Sequence, residues 1–154
     1  MAKSKAGIVL YHWVNNQLEV LLVHSGGPYW TKKDAGAWGI PKGEVNESES
    51  LEAGARREFF EETGIIIPVN ETLIDLGEVR GKSGERVHIW AWEGKNNEKF
   101  VKSACFEIEW PPGSGRKQVF PEVDRAEFFS VEQAKEKIIP AQFAFIERLL
   151  KELQ

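Results

Sequence analysis

Three carboxylates carry the first chemical signal in this chain: Glu58, Glu61 and Glu62, inside the glutamate-rich stretch Gly43–Ile65, GEVNESESLEAGARREFFEETGI. Their i, i+3, i+4 spacing places them on one face of a helix. Gly64 ends that helix, which sets Glu61 and Glu62 in its last turn. Anions are unfavourable there, because a helix C-terminus carries about half a negative charge. Like charges at i, i+4 cost a few tenths of a kcal/mol more. A bound divalent cation reverses the sign of both terms, and a cluster of hard oxygen donors suits Mg²⁺ or Mn²⁺. The competing reading is a solvated acidic face. Gly54 weighs against it. It falls one turn before Glu58 in mid-helix, where glycine costs about 1 kcal/mol against alanine. Its missing side chain lets a loop or a phosphate come close to the acids.

The same stretch fits G-x5-E-x7-R-E-U-x-E-E-x-G-U, with U apolar, at Gly43, Glu49, Arg57, Glu58, Phe59, Glu61, Glu62, Gly64 and Ile65. Seven of these positions demand a single residue type, so a chance match is about 10⁻⁸ per starting point at average composition. The chain therefore resembles the Nudix hydrolases. That resemblance implies an α/β/α sandwich around a mixed sheet, and Mg²⁺-dependent (or Mn²⁺-dependent) cleavage of a nucleoside diphosphate linked to another moiety. It implies metal ligation by Glu58, Glu61 and Glu62, joined by the Gly43 carbonyl and Glu122, with Glu58, Glu61 and Glu122 as the catalytic group. Glu49 and Arg57 then pair to fix the loop against the helix that Gly64 closes, and Lys42 is the first choice for a phosphate contact. Glu122, in FPEVDRAEFF, resembles a Pro-Glu pair that completes the site in many members; the alternative is a surface loop glutamate. GIPKGEV resembles the same segment in diadenosine polyphosphate and nucleoside triphosphate pyrophosphohydrolases, which favours those substrates. ADP-ribose or another nucleoside-diphosphate sugar is the alternative substrate. The rival class is a catalytically silent, nucleotide-sensing domain, although no acid of the motif is missing.

The elements that must position these residues are legible in outline. Residues 6–13 and 18–24 read as strands around a turn at Asn15-Asn16, and a short strand, 37–40, leads into a loop at Pro41-Lys42-Gly43. The acidic helix runs over 50–63. Residues 72–80 and 86–93 read as a second strand pair around a Gly-Lys-Ser-Gly turn. Residues 104–110 alternate apolar and acidic, as a half-buried strand does. A long loop then reaches to residue 125, followed by a short strand, AEFF. Ser130 with Gln133 forms a capping box for one helix, and an amphipathic helix begins near Ala141.

The length of 154 residues, 42% of them apolar, suits one domain, 1–154, with residues 1–4 as a loose tail. A net charge of −4 speaks against general nucleic-acid binding. A single cysteine suits a reducing compartment, and no apolar run is long enough for a membrane span, so a cytoplasmic protein is expected. Oligomeric state leaves no mark in the sequence. Gly81-Lys82-Ser83 lacks the upstream glycine and following helix of a phosphate-binding loop. His12, His24 and His88 show no ligand spacing, and read as core or surface histidines. Trp38, Trp90, Trp92 and Trp110 fall in strands and read as core. Tyr29 and Trp30 lie in a Gly-rich loop beside Lys32 and Lys33, where a base can stack. Arg80 and Lys82, on a turn, are candidates for meeting phosphates.

Overall fold

β1 (Ser4–Val14) is apolar on both faces, and both faces are covered. Strands buried on two sides read as continuous apolar runs rather than as alternation. Ala6, Ile8 and Leu10 pack with Ala55 and Phe59 of helix α1 (Leu51–Thr63). Val9 and Tyr11 pack on the opposite face with Phe145, Ile146 and Leu149 of α3 (Phe143–Glu152) and Ala134 of α2 (Val131–Lys137). The computed structural model, which describes residues 3–81 and 83–154, is therefore the expected α/β/α sandwich.

The sheet is mixed. β1 pairs in parallel with β6 (Arg86–Glu93) and antiparallel with β2 (Gln17–Ser25), and β6 carries β5 (Ile74–Arg80) on its outer edge. β1 and β2 stay paired only near their turn, from Tyr11↔Val20 to Val14↔Gln17, and then part. The gap takes two short strands. β3 (Trp38–Gly39) joins β2, and β4 (Lys42–Glu44) joins β1 with Gly7 opposite Lys42 and Ala6 opposite Gly43. β9 (Val123–Ser130) covers the other edge of β2, while β7 (Cys105–Glu109) and β8 (Lys117–Pro121) form a separate ribbon.

Several sequence expectations need correction. The loop expected at Pro41-Lys42-Gly43 is strand β4, too short to show a period but held by its ladder with β1. Much of the long loop expected before residue 125 is β8 and the start of β9; the polar residues of β8 pair with β7 at the surface, where burial imposes no pattern. Ser4 belongs to β1 rather than to a tail, and its carbonyl accepts from Val45 N at 3.0 Å. Trp110 lies outside the core, edge-on to Tyr29 at 5.2 Å.

Ser50 caps α1 by accepting from Ala53 N at 3.1 Å, and Gly64 closes it in the left-handed region at φ 75°. Ser130 and Gln133 form the expected capping box on α2. Among the described residues, no helix is long and apolar enough to cross a membrane.

Gly7 is the narrow point between β1 and β4. A Cβ there would lie 2.2 Å from the Pro41 carbonyl oxygen and 2.5 Å from Lys42 Cβ. Gly7→Ala is expected to push β4 outward and cost about 1–3 kcal/mol in chemical denaturation. An unchanged denaturation midpoint would show that β4 is free to shift.

Candidate active site

Glu58, Glu61 and Glu62 project from the last two turns of α1 towards β4 and the start of β9. Gly43 in β4 faces Glu58 so closely that a Cβ would sit 2.1 Å from Glu58 Oε2. Only glycine lets that carboxyl lie against the strand backbone. Gly54 meets a loop rather than an open cleft: a Cβ there would stand 2.9 Å from Val45 and 3.1 Å from Glu49 Oε1.

Arg57 holds this corner together. It donates to Glu49 Oε1 at 2.7 Å, to the Glu44 carbonyl at 2.8 Å, to Glu58 Oε1 at 2.9 Å and to both Glu61 oxygens at 3.1 Å. Glu49 also accepts from Asn46 N at 2.9 Å. Arg57 first, and the Asn46 N–H second, hold the Glu49 carboxyl below its usual range. The Arg57 guanidinium is pushed up in turn, chiefly by Glu49. Arg57 pairs with Glu58 and Glu61, and among the described residues no three His, Cys, Asp or Glu side chains stand at a common ligand point.

The other acids behave differently. Glu62 is pushed up to about 8, first by loss of water around its carboxyl and then by Glu58, with Lys42 opposing and Glu122 adding. Burial also raises Glu58, with Glu61 and Glu122 contributing and Arg57 opposing. Burial and then Glu61 raise Glu122. Four carboxylates thus lie within electrostatic reach of one another, with more negative charge than the site can comfortably hold. Burial lowers the Lys42 ammonium, Lys5 adds to the fall, and Glu62 opposes it.

Glu122 is set by its backbone. Its N–H donates to the Ala104 carbonyl at 2.8 Å, and its carbonyl accepts from Gly26 N at 2.9 Å. Ala104 N donates in turn to the Glu61 carbonyl at 2.7 Å. The exposed C-terminal carbonyls of α1 are thereby satisfied by the segment that positions Glu122.

Glu62, Glu122 and Lys42 line one cavity of about 160 Å³. Through Ser25 and Glu122 it adjoins a second of about 290 Å³, walled by Gly27, Tyr29, Trp30, Phe106 and Ile108. Trp30 is 37% and Tyr29 59% exposed, and Lys33 Nζ stands 4.8 Å from the Trp30 ring centre. Arg80, at the end of β5, borders a different cavity that also touches Lys42. Lys82 lies outside the described residues.

The sequence reading missed four contributors. Phe106 and Ile108, on one face of β7, wall the cavity with Tyr29 and Trp30, as the alternation in FEIE signals, and Trp110, just past β7, meets Tyr29 edge-on. His24 is fully buried and bridges Asp124 Oδ1 at 2.7 Å and the Lys33 carbonyl at 2.6 Å, tying the aromatic loop to β9 beside Glu122. Its place on the core face of β2 gave a hint, since a buried histidine needs partners.

A family model described as NUDIX domain matches residues 3–149. Among curated relatives, Nudix hydrolase 5 of Arabidopsis thaliana is 33% identical over 99 residues, covering 62% of this chain and 29% of the relative. Nudix hydrolase 7 of the same plant is 41% identical over 58 residues, covering 38% of this chain and 20% of the relative. The chain thus spans less than a third of either relative's length. Among solved structures, a C. elegans Ap4A hydrolase binary complex superposes with a TM-score of 0.70 at 21% identity, covering 99% of this chain and 98% of that one. The NUDIX domain of Shewanella oneidensis NrtR, complexed with ADP ribose, gives 0.67 at 19% identity, covering 100% and 90%. At those identities the superpositions establish the fold.

The raised Glu62 carboxyl has a consequence for stability. Its value of about 8 lies above the ordinary 4.5, so in that window the folded chain binds more protons than the unfolded chain. Stability contributed below pH 4.5 is therefore lost as pH rises through about 8. In EDTA the melting temperature is expected to fall across this range, and Glu62→Gln to remove most of the slope. A slope unchanged in Glu62→Gln would refute the assignment.

Proposed function

The chain belongs to the NUDIX domain family, and from that premise we propose that it hydrolyses a phosphoanhydride bond in a nucleoside diphosphate linked to another moiety. The observation that carries this is the shared wall at Glu122: an acid cavity holding Glu62 and Lys42 opens beside an aromatic cavity holding Tyr29 and Trp30. Phosphates and a base fit those two environments respectively.

The donor set suits a hard divalent cation, Mg²⁺ or Mn²⁺. Glu58, Glu61, Glu62 and Glu122 offer only oxygen, and the raised carboxyls of Glu58, Glu62 and Glu122 mark charge awaiting a counter-ion. Gly43 lets Glu58 lie against the backbone whose carbonyl would complete the set. When bound, the cation neutralises charge on the phosphate oxygens and makes a nucleophilic water available near neutral pH.

The chain's own groups do the rest. Lys42 binds a phosphate oxygen from the floor of the acid cavity. Glu122 accepts a proton from the attacking water, a role suited to a carboxyl held above its usual range. The water oxygen bonds to phosphorus, the bridging P–O bond breaks, and the leaving phosphate departs with that electron pair. Arg57 keeps Glu49 and the β4–α1 loop fixed, and Glu58 and Glu61, which it now pairs, would be the side chains to hold the cation. Tyr29 and Trp30 stack on the base. Dinucleoside polyphosphates or nucleoside triphosphates are the favoured substrates, with ADP-ribose or another nucleoside-diphosphate sugar as the alternative. Silent nucleotide sensing is the weaker reading, because every acid of the motif is in place.

Turnover is expected to vanish in EDTA, and full activity in metal-free buffer would sink the mechanism. Glu61→Gln is expected to lower turnover by roughly 10²-fold or more with the fold intact. Glu107→Gln, on the exposed side of β7, is the control and should do far less.

Trp30→Ala is expected to raise KM by about 5- to 100-fold for every base alike and to leave turnover nearly unchanged, since stacking is worth about 1–3 kcal/mol per base. A wild-type KM for all bases in a stably folded variant would remove Trp30 from the site.

A further inference from the structure

His24 is fully buried on β2 and lines neither the acid nor the aromatic cavity, so the proposed chemistry makes no use of it. Its ring is nevertheless committed at both nitrogens. Nδ1 lies 2.7 Å from Asp124 Oδ1, and Nε2 lies 2.6 Å from the Lys33 carbonyl oxygen. A carboxylate and a carbonyl only accept, so the two bonds stand together when both ring nitrogens donate. An imidazole with both donors spent inside the fold is placed as a clamp.

The residue it clamps is the one that holds Trp30. Lys33 N donates to the Trp30 carbonyl at 2.9 Å, and Lys33 Nζ stands 4.8 Å from the centre of the Trp30 ring. Trp30 N donates in turn to the Gly27 carbonyl at 3.2 Å, which also accepts from Thr31 Oγ1 at 2.8 Å. Residues 27–33 thus form a closed set of turns around the Trp30 backbone. The loop is tied at its start by Gly26 to the Glu122 carbonyl, and at its end by Gly36 to the Glu136 carbonyl. His24 holds it between those points, from the core side. The other bond of His24 ends on Asp124, two residues past Glu122 on β9, which pairs with β2. One imidazole therefore spans from the Glu122 strand to the turn that carries the stacking ring.

We propose that His24 is a positioning residue: by holding Lys33 it sets Trp30 at a fixed depth beside Glu122, and so governs affinity for the base without touching the substrate. This rests on the proposed stacking of a base on Trp30. A buried histidine with a core role alone would contribute to stability and leave nucleotide binding as it is. In a positioning role, binding responds to which of the two bonds is removed, since only the Lys33 bond reaches the loop.

Two substitutions separate the bonds. The amide nitrogen of asparagine is two bonds from Cβ, as Nδ1 is, so His24→Asn keeps a donor for Asp124 and loses Lys33. The amide nitrogen of glutamine is three bonds from Cβ, as Nε2 is, so His24→Gln keeps a donor for Lys33 and loses Asp124. Kinetics and melting temperatures are measured in otherwise wild-type protein. Kd is measured by calorimetry in the slow Glu61→Gln background, with ATP and with inorganic tripolyphosphate, which has no base. His24→Asn is expected to raise KM and Kd for ATP about fivefold or more, with turnover within about threefold and the tripolyphosphate Kd within about twofold. His24→Gln is expected to stay within about twofold of wild type for both ligands. In a Trp30→Ala background His24→Asn should add almost nothing, because the two changes act through one ring. Thr31→Val loosens the same turn from an exposed position, and is expected to weaken ATP alone even where a change at the buried site folds poorly. Equal losses in the Asn and Gln variants, losses shared by tripolyphosphate, or effects additive with Trp30→Ala would overturn the positioning role. An ATP Kd unchanged in both His24→Asn and Thr31→Val would overturn it as well. Failure of the underlying reading looks different. Trp30→Ala with wild-type ATP affinity removes the base from this loop, whereas wild type that binds ATP without cleaving it removes the hydrolysis and leaves the Kd comparison to decide His24.

Discussion

The guanidinium of Arg57 is the interaction on which the site depends. Acids at the C-terminal end of a helix repel one another and the helix dipole. Arg57 relieves part of that repulsion by taking Glu58 and Glu61, and spends its remaining donors on Glu49 and the Glu44 carbonyl. The same cation therefore stabilises the helix end and fixes the loop that leads into it. Glu62 lies out of its reach, and burial, with only Lys42 in compensation, pushes its carboxyl up to about 8. Under the proposed function, a divalent cation entering here would compete with Arg57 for Glu58 and Glu61 and would answer an unmet demand at Glu62.

The parting of β1 and β2 makes the room for this arrangement. A β1–β2 ladder continued past Tyr11 and Val20 would leave no gap for Trp38–Glu44. In the gap, β3 and β4 bring Gly43 beside the acids and Lys42 to the opposite face, since neighbouring strand residues point to opposite sides. One short segment therefore serves both layers: Gly43 on the α1 side and Lys42 on the α3 side. Glycine at position 7 is needed for the same reason, because Pro41 passes within van der Waals distance of that backbone.

How far the sequence disclosed this depends on the range of the interaction. The acidic helix, its stop at Gly64 and the shared face of Glu58, Glu61 and Glu62 follow from local spacing, and were legible. The long core strands were legible because burial imposes a pattern on them. β4 and β8 were not. They are too short or too exposed to carry a period, and exist through pairing with β1 and β7, where Gly7 faces Lys42 and Glu107 faces Val119. The neighbourhood of Glu122 was legible only as a Pro-Glu pair; its setting comes from Ala104 and Gly26, and no local rule connects those three. Trp110 misled because a strand tryptophan is usually core, whereas this ribbon packs on a loop rather than on a helix.

A chain of backbone contacts explains why the acid and aromatic cavities belong to one unit. Glu61 at the end of α1 accepts from Ala104, Ala104 accepts from Glu122, and Glu122 accepts from Gly26 at the foot of the aromatic loop. His24 closes the circuit from below, joining Lys33 at the far end of that loop to Asp124, two residues past Glu122. Both ends of the aromatic loop are therefore referred to β9, and β9 is referred to the acidic helix. If a base stacks on Tyr29 and Trp30, as the proposed function has it, these contacts would hold it at a fixed offset from the carboxylates and make its binding energy available to orient the phosphates. Side chains on a free loop would bind a base equally well but could not transmit its position. The Ile139–Phe145 corner reaches the same acids by another route, through Gln142 and Ile40 to β4. The acidic corner is thus tied to the aromatic loop through backbone and to the Ile139–Phe145 corner through the Gln142 side chain.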